Sequence, residues 1–377
     1  MKIAQRMDKD RMRKKYFRVA GYLVTYLAVM VWGMAVVKWQ VPPYGVYVLV
    51  KQKLGLPRYM GPDAEVSKRF AFISPLVEPV NQIDPPVQNM EQVNERVRKL
   101  EMDVSRFPNA YESLRVINPS FLKPDVFSLS FEIGRTYTTY CYFEKSRSEN
   151  SGTAFLLIPG SGFNQSSALL PGGVRNYHDG IFELARKYGD VYVYIKPNED
   201  IRAIHNGHHK LDYDFITNTL IGHGGSYSAY YLVEAMAITK YLRQKYGRVV
   251  VAGVSQGGAA AALVGFQAWP DIVLCISGGY YPSDTYIIHA SPFNIMIPGM
   301  SKIVDTRSVA DLVKGHPTRW LYTNGKSDIG GFRVLAEENL LSKHFHGIGQ
   351  VTVATHAGGH EVPTRIVDDY LSRTLSR

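Results

Sequence analysis

The apolar and polar residues of the chain follow three different patterns. An uncharged apolar run extends from Val19 to Val37, residues 39–84 show no sustained period, and beyond residue 125 short apolar runs alternate with stretches of helical spacing. Short apolar runs bounded by turn residues indicate buried strands, whereas apolar positions three and four residues apart indicate helices. The pattern therefore predicts an α/β domain in the C-terminal part of the chain.

This C-terminal part begins with a predicted hairpin, in which Val126–Glu132 and Thr136–Phe143 flank a turn that contains Gly134. Further strands are predicted at residues 153–158, 190–195, 248–252, 271–277, 318–323 and 350–355, and helices at residues 177–188, 227–246, 330–343 and 364–375. Such an alternation predicts a mostly parallel sheet with helices on both faces and a site at the carboxyl ends of the strands. Residues 280–317 interrupt it, as a small cap or as an ordinary surface excursion.

The N-terminal part has a different organisation. Residues 1–18 carry eight Lys or Arg against two Asp, so this tail holds +6 of the net charge of +10. The apolar run that follows is 19 residues long, about the length that crosses a bilayer core. We therefore predict a cytoplasmic tail (1–18), a transmembrane signal-anchor helix (19–38), a juxtamembrane connector (39–124) with one helix at 86–107, and the α/β domain (125–377).

The charge distribution decides the orientation. Basic residues remain on the cytoplasmic side of a membrane span, so the α/β domain is predicted to be extracytoplasmic, in a periplasm, a lumen or the cell exterior. The alternatives for residues 19–38 are a buried core helix and a long cleaved signal peptide. Because the basic charge is concentrated in the tail, it does not indicate a nucleic-acid partner. The two cysteines, Cys141 and Cys275, lie in apolar runs and are predicted to be buried free thiols.

The candidate chemistry centres on Gly253-Val-Ser255-Gln-Gly257, between a run of valines and a run of alanines. Gly-x-Ser-x-Gly between a strand and a helix is the pattern of a nucleophile elbow, in which the serine occupies a strained turn and presents its hydroxyl group. The N–H of Gln256, at the helix start, then points to where an oxyanion would form. The alternative is a glycine-rich turn with a spectator serine.

Three more motifs follow predicted strands. Pro159-Gly160-Ser161-Gly162-Phe163 follows the first parallel strand, Asn324-Gly-Lys-Ser-Asp328 a later one, and His356-Ala-Gly-Gly-His360 the last. With the elbow, these motifs resemble the α/β-hydrolase superfamily over residues 125–377, in the chain order Ser, Asp, His.

The resemblance implies a role for each motif. Ser255 would be the nucleophile, His360 the general base and Asp328 the orienting acid, and the N–H groups of Ser161 and Gln256 would form the oxyanion hole. Gly162 and Phe163 would contact the substrate. Pro159-Gly160 replaces the His-Gly that is frequent in the family, so the second oxyanion donor is Ser161, Gly162 or Phe163. His356 is the rival base, and Asp305 and Asp311 are the rival acids.

Two other polar segments are candidates for the site. The cluster His205-Asn-Gly-His208-His209, with His223, could bind a metal, line the pocket or form a solvated loop. It has neither a cysteine nor a carboxylate pair beside it, so we predict no metal and no cofactor. Lys196-Pro-Asn-Glu-Asp200 follows a strand end and could face the site or form a simple turn.

The sequence thus predicts a membrane-anchored serine hydrolase that cleaves carboxylic esters through an acyl-enzyme and whose partners are an ester-bearing substrate and the bilayer. An acylated glycan or lipid of the envelope is the expected substrate. The alternatives are a serine peptidase of the same superfamily and a catalytically silent scaffold that binds a partner at the membrane. Peptidases of this superfamily usually add a large gating domain, and residues 39–124 show no repeated strand pattern that would form one.

Overall fold

The structure, a computed structural model, divides the chain into two compact units, Met1–Gly61 and Pro62–Arg377. It describes residues 25, 32, 110–133, 135–147, 152–162, 165–171, 176–197, 199, 227–278, 310, 313–328, 333, 336 and 339–376. Among these residues no helix is long and apolar enough to cross a membrane. The predicted span at 19–38 lies outside them apart from Thr25 and Trp32, and so do the predicted helix at 86–107 and most of the interruption at 280–317.

The described residues of the second unit form one nine-stranded sheet. Its strands are β1 (Arg115–Lys123), β2 (Val126–Ile133), β3 (Arg135–Glu144), β4 (Thr153–Ile158), β5 (Asp190–Tyr194), β6 (Arg248–Val254), β7 (Ile272–Ile276), β8 (Arg319–Gly325) and β9 (Val351–His356). The spatial order is β1-β2-β3-β5-β4-β6-β7-β8-β9. β1, β2 and β3 pair in antiparallel fashion, and β3 is also antiparallel to β5. The other six strands, β4 to β9, run parallel to one another.

Helices cover both faces of this sheet. They are α1 (Ala110–Ser113), α2 (Gln165–Ala168), α3 (Ile181–Tyr188), α4 (Tyr227–Lys245), α5 (Gln256–Ala268), α6 (Leu340–His344) and α7 (Thr364–Leu375). One apolar cluster joins α4 and α5 to one face of the sheet, and a second joins α3 and α7 to the other face. The predicted fold class, a mostly parallel sheet with helices on both faces, is confirmed.

The core follows from the alternation of side chains along the buried strands. In β4, Leu156 and Ile158 belong to the first apolar cluster, whereas Phe155 and Leu157 belong to the second. A strand that is covered on both faces must be apolar at every position, as this one is. Cys141 and Cys275 are both buried thiols that form no disulfide, as predicted.

Two local predictions need correction. The helix expected at 177–188 begins only at Ile181, because Gly180 has a φ of 89°, outside the right-handed helical region. His178 therefore lies in the turn that precedes α3 and not in the helix itself. In addition, the predicted connector at 39–124 ends in a strand, β1, which lies at the edge of the sheet, pairs with β2 and contains Pro119.

Candidate active site

The parallel strands bring the predicted motifs to one edge of the sheet. Ser255 follows β6, Asp328 follows β8, and His360 follows β9. The glycine-rich segment that begins at Gly160 follows β4, next to β6. Lys196 follows β5, on the far side of β4 from β6. Since all these strands point the same way, their carboxyl ends gather the side chains of segments that are distant in sequence.

Ser255 occupies a strained main-chain conformation. Its φ is 60° and its ψ is −122°, values that a residue with a side chain rarely adopts. The Ser255 N–H donates to the carbonyl of Ile276 at 2.9 Å, and its own carbonyl accepts the first bond of α5 from Gly258. The serine is therefore held between the neighbouring strand and the helix start. This is the geometry that the Gly-x-Ser-x-Gly pattern predicts.

The two glycines of the elbow are required by the close approach of main chain to main chain. A Cβ atom at Gly253 would lie 1.9 Å from the carbonyl oxygen of Gly257, and one at Gly257 would lie 2.0 Å from the carbonyl oxygen of Ile158. Neither backbone can move without displacing a central strand or α5. Glycine at both positions thus allows the sharp turn that carries Ser255.

Asp328 and His360 form a hydrogen-bonded pair. The His360 Nδ1 lies 2.8 Å from the Asp328 Oδ1, and the aspartate side chain is fully buried whereas the imidazole is 15% exposed. Because a carboxylate accepts, Nδ1 carries the proton and Nε2 keeps its lone pair. The imidazole is thereby held in the tautomer that can take a proton from a hydroxyl group.

Main-chain contacts bind the loop of Asp328 to the loop of His360. The N–H of Lys326 donates to the carbonyl of His356 at 2.8 Å, and the N–H of Ser327 donates to the carbonyl of Gly358 at 3.0 Å. Gly325 permits this contact, since a Cβ atom there would lie 2.3 Å from the Gly358 oxygen. The distance between acid and base is therefore fixed by the backbone of both loops.

Ser277 links the same histidine loop to β7. Its hydroxyl group donates to the carbonyl of Glu361 at 2.9 Å and accepts the N–H of Glu361 at 3.3 Å. Ser277 is fully buried and has a φ of 43°. Glu361 directly follows His360, so these two hydrogen bonds hold the main chain next to the base. Ser277 is not among the predicted site residues, because nothing in its local sequence marks a contact that spans 84 residues.

On the other side of Ser255, buried side chains hold the segment that follows β4. The N–H of Gly160 donates to Nε2 of His178 at 2.8 Å, and Nδ1 of His178 bonds Oδ1 of Asn176 at 2.9 Å. A ring nitrogen that accepts an N–H is unprotonated, so this imidazole is neutral. Burial, followed by the positive charge of Lys196 and by the neighbouring His360, lowers the pKa of His178 from 6.5 to about 3.

Lys196 holds the carbonyl groups of the same segment. Its ammonium group donates to the carbonyl oxygen of Gly160 and, at 3.1 Å, to that of Gly162. The carboxylate of Glu199 lies 4.0 Å from the ammonium group, and both side chains are fully buried. Glu199 also accepts the N–H of Ser166 at 3.2 Å. The segment that could supply an oxyanion donor therefore rests on a buried ion pair.

Tyr177 connects the two sides of the site. Its hydroxyl group donates to the carbonyl of Ser161 at 3.1 Å, and its ring lies 5.0 Å from the ring of His360 and 4.1 Å from that of His178. A Cβ atom at Gly160 would lie 2.3 Å from the same hydroxyl group, which explains glycine at this position. The base and the glycine-rich segment thus share a contact.

The remaining predicted residues occupy other positions. Gln256 begins α5 and is buried. His356 has its Nδ1 4.0 Å from Glu361, and burial lowers the pKa of its imidazole. Phe163 and the rival acids Asp305 and Asp311 lie outside the described residues, as does the cluster of His205, His208, His209 and His223. Within the described part of the chain no three His, Cys, Asp or Glu side chains are arranged to hold a metal ion.

Comparisons with known proteins give matches among solved structures alone. No protein-family model matches the sequence, and no curated protein matches it. The chain is similar to a Bacteroides fragilis protein assigned as an acetyl xylan esterase, with 13% identity, a TM-score of 0.47 and coverage of 85% of this chain and 96% of that one. It is also similar to S-formylglutathione hydrolase from Staphylococcus aureus, with 15% identity, a TM-score of 0.42 and coverage of 70% and 99%.

A third similar structure is a glucuronoyl esterase from Sporotrichum thermophile, with 12% identity, a TM-score of 0.43 and coverage of 74% of this chain and 82% of that one. At these identities the similarity concerns the fold.

Proposed function

We propose that this chain, which has the α/β-hydrolase fold, is a serine hydrolase that cleaves carboxylic esters through an acyl-enzyme. The observation that carries the proposal is the 2.8 Å hydrogen bond between buried Asp328 and His360, at the sheet edge where Ser255 occupies a strained elbow. A buried carboxylate, an oriented imidazole and a strained serine are the three parts that nucleophilic acyl transfer requires.

In the first half of the reaction, the Oγ of Ser255 attacks the acyl carbonyl carbon while Nε2 of His360 takes the hydroxyl proton. Asp328 accepts the Nδ1 proton of the imidazole in a hydrogen bond and stabilises the imidazolium that forms. His360 then gives its proton to the leaving alcohol as the carbon–oxygen bond breaks. The acyl group remains on Ser255 as an ester.

In the second half, water attacks this ester and His360 takes a proton from the water. The carboxylic acid leaves, and Ser255 recovers its proton from the imidazolium. Both halves pass through a tetrahedral oxyanion, which the N–H groups of Gln256 and Ser161 would stabilise. Gln256 is at the N-terminus of α5, where the helix dipole also favours negative charge.

The proposed substrate class is an acyl ester of an envelope glycan or lipid. Gly-Val-Ser-Gln-Gly-Gly resembles the elbow of carboxylesterases and thioesterases, which favours esters over peptides. We further propose that residues 19–38 anchor the chain in a membrane with the hydrolase domain extracytoplasmic, because a tail of +6 precedes an uncharged run of 19 residues.

A fluorophosphonate probe tests the proposed activity. Ser255 of the full chain, kept in mild detergent, should be labelled, and Ser255→Ala and His360→Ala should each reduce ester turnover by about 10⁵-fold to 10⁶-fold. His356→Ala serves as the matched histidine control and should retain turnover within about threefold of the wild type. Absence of both labelling and turnover in the wild type would favour the silent scaffold. Loss of turnover in His356→Ala, but not in His360→Ala, would exchange the two assignments.

Relative turnover of model substrates tests the ester class. The full chain should hydrolyse short-chain p-nitrophenyl esters faster than long-chain esters or prolyl-peptide anilides. A preference for the anilides would replace the esterase by a peptidase, and a strong preference for long chains would make it a lipase.

A reporter fused after Arg377 in intact cells tests the topology. It should be extracytoplasmic and should stay with the membrane during alkaline carbonate extraction. A cytoplasmic reporter would contradict the orientation, and release of the protein by carbonate would contradict the anchor.

A further inference from the structure

The glycine-rich segment after β4 is held by the side chain of a lysine, Lys196, which follows the neighbouring strand β5. Lys196 is fully buried, and its ammonium group donates to the carbonyl oxygens of Gly160 and Gly162. A buried charge is costly unless it is paired and hydrogen-bonded. Lys196 satisfies this condition with two main-chain carbonyls and the carboxylate of Glu199, 4.0 Å away.

These contacts determine which way the peptide group between Gly160 and Ser161 points. A trans peptide is planar, and its C=O and N–H point in opposite directions. Because the Gly160 carbonyl points to Lys196, the N–H of Ser161 points away from it. The N–H of Gly160 itself is bound to His178 and is not available to a substrate.

The strand order relates the direction of the Ser161 N–H to the position of Ser255. Lys196 follows β5 and Ser255 follows β6, and β4 lies between these two strands. The segment that carries Ser161 begins two residues after β4. A group that points away from the β5 side, across the end of β4, therefore points to the β6 side, where Ser255 lies.

We propose that Lys196 is a positioning residue of the oxyanion hole: it holds the Gly160 and Gly162 carbonyls so that the N–H of Ser161 faces Ser255, and Glu199 balances its charge. The inference rests on the proposed function and extends it, because it names the group that orients the N–H of Ser161. Lys196 does not touch the substrate; it acts through the backbone of the segment.

The alternative arrangement explains why an ammonium group is needed. If the Gly160–Ser161 peptide turned over, its carbonyl oxygen would face the developing oxyanion and repel it. A charge-assisted hydrogen bond to a carbonyl is about twice as strong as a neutral one, so the lysine favours the productive orientation before substrate binds. Donors that are oriented in advance stabilise the transition state without a cost of reorganisation.

The variant Lys196→Met tests the proposal, because it keeps an unbranched apolar side chain of similar length and removes the donors. With p-nitrophenyl acetate and the full chain, we expect kcat to fall by about 10²-fold to 10³-fold, the loss that follows removal of one oxyanion donor. KM should stay within about threefold, and the acidic limb of the pH profile should keep its midpoint, because Ser255, His360 and Asp328 are unchanged. The inhibition constant of a boronic acid, which forms a tetrahedral adduct with the serine, should rise in parallel with the loss of kcat.

Lys240→Met is the matched control. The Lys240 ammonium group also donates to two main-chain carbonyls, those of Tyr111 and Leu114, but these residues precede β1 and are not part of the site. This variant should lose stability while retaining kcat. A comparable fall of kcat in Lys240→Met would make the effect of Lys196→Met one of general stability.

The double variant Lys196→Met/Glu199→Gln addresses the charge that the single variant leaves unbalanced. It neutralises the buried carboxylate that has lost its ammonium partner, so it should recover part of the melting temperature and still show the low kcat. A value of kcat within threefold of the wild type, in either folded variant, would overturn the positioning role. The outcome for the proposed function is separate, since a wild-type protein that neither hydrolyses esters nor reacts with the probe would contradict that function whatever the variants do.

Discussion

The two sides of Ser255 are held by different kinds of contact. On the side of the acid and the base, the loops after β8 and β9 are joined by main-chain hydrogen bonds and by glycines that let two backbones touch. On the oxyanion side, the segment after β4 is held by three polar side chains, the buried ones of His178 and Lys196 and the partly buried one of Tyr177. The first arrangement depends on shape and the second on charge and protonation.

This difference predicts which changes each side tolerates. Backbone contacts do not titrate, so the main-chain contacts between the loops of Asp328 and His360 should not depend on pH, yet they should be sensitive to a single added methyl group. Buried side chains can lose or gain a proton, so the oxyanion side should be more sensitive to acid. Variants on either side, arranged by the size of the expected effect, test this contrast.

The largest effect is expected from Asp328→Asn on the acid and base side. An amide in this position keeps the shape but can offer its N–H₂ to the imidazole, which favours the wrong tautomer. The value of kcat should fall by about 10⁴-fold, with little change in the free energy of unfolding. Steady-state kinetics and thermal unfolding of the same preparation measure both quantities. A loss of less than tenfold in a folded variant would show that another carboxylate orients the base.

The next effect concerns shape alone. In Gly325→Ala the new Cβ atom would lie 2.3 Å from the Gly358 oxygen and 2.4 Å from the Gly359 oxygen, so one loop must move. We expect a loss of about 1–3 kcal/mol in the free energy of unfolding, measured by urea denaturation, and a lower kcat. Gly349→Ala is the control, since a Cβ atom there has no neighbour within 4 Å. Equal effects of the two variants would contradict the view that this side depends on close backbone contact.

The motifs after the strands could be found from the sequence because each is local. The elbow and the Asp and His motifs each combine a reactive residue with the glycines that its turn requires, and they stand in the family's chain order. The structure confirms two features that the resemblance to the α/β-hydrolase superfamily implies, the mostly parallel sheet and the strained conformation of Ser255. In such segments the reactive residue and the residues that set its backbone conformation are neighbours in the sequence, so both can be recognised together.

The supporting groups could not be found in the same way. His178 and Ser277 act on Gly160 and Glu361, which are 18 and 84 residues away, and no local pattern marks such pairs. Lys196 was noted only because it follows a strand. The edge strand β1 was missed because most of its residues are exposed, so it lacks the apolar run that marks the central strands.

The third effect is a dependence of stability on pH that His178 should cause. Its pKa is about 3 in the folded protein and near 6.5 when unfolded, so the unfolded state binds the proton first as the pH falls. The stabilisation is complete above pH 6.5 and is lost progressively between pH 6.5 and pH 3. By linkage, the wild type should lose about 2 kcal/mol between pH 7.5 and pH 5.0 through this residue.

His178→Gln isolates that contribution, because the amide oxygen can still accept the N–H of Gly160 and does not titrate. Urea unfolding of both proteins at pH 7.5 and pH 5.0 should show the smaller loss in the variant. Equal losses would mean that His178 is not the neutral, buried acceptor on which the contrast between the two sides depends.

The smallest effect is expected from Ser277→Ala. This variant removes the one side-chain hydroxyl group described above that binds the backbone of the histidine loop, on the side of the site that main-chain hydrogen bonds otherwise hold. The hydroxyl group makes two hydrogen bonds to the backbone of Glu361, and without it the Glu361 carbonyl loses a donor. We expect a loss of about 1–2 kcal/mol in the free energy of unfolding. The value of kcat should fall less than tenfold, because the contacts between the loops of Asp328 and His360 remain. Ser372→Ala removes an exposed hydroxyl group that also bonds a main-chain carbonyl, and it should change stability by no more than about 0.5 kcal/mol. If Ser277→Ala instead lowered kcat as strongly as Lys196→Met, the base would depend on a side chain as much as the oxyanion segment does, and the two sides of Ser255 would no longer differ in kind.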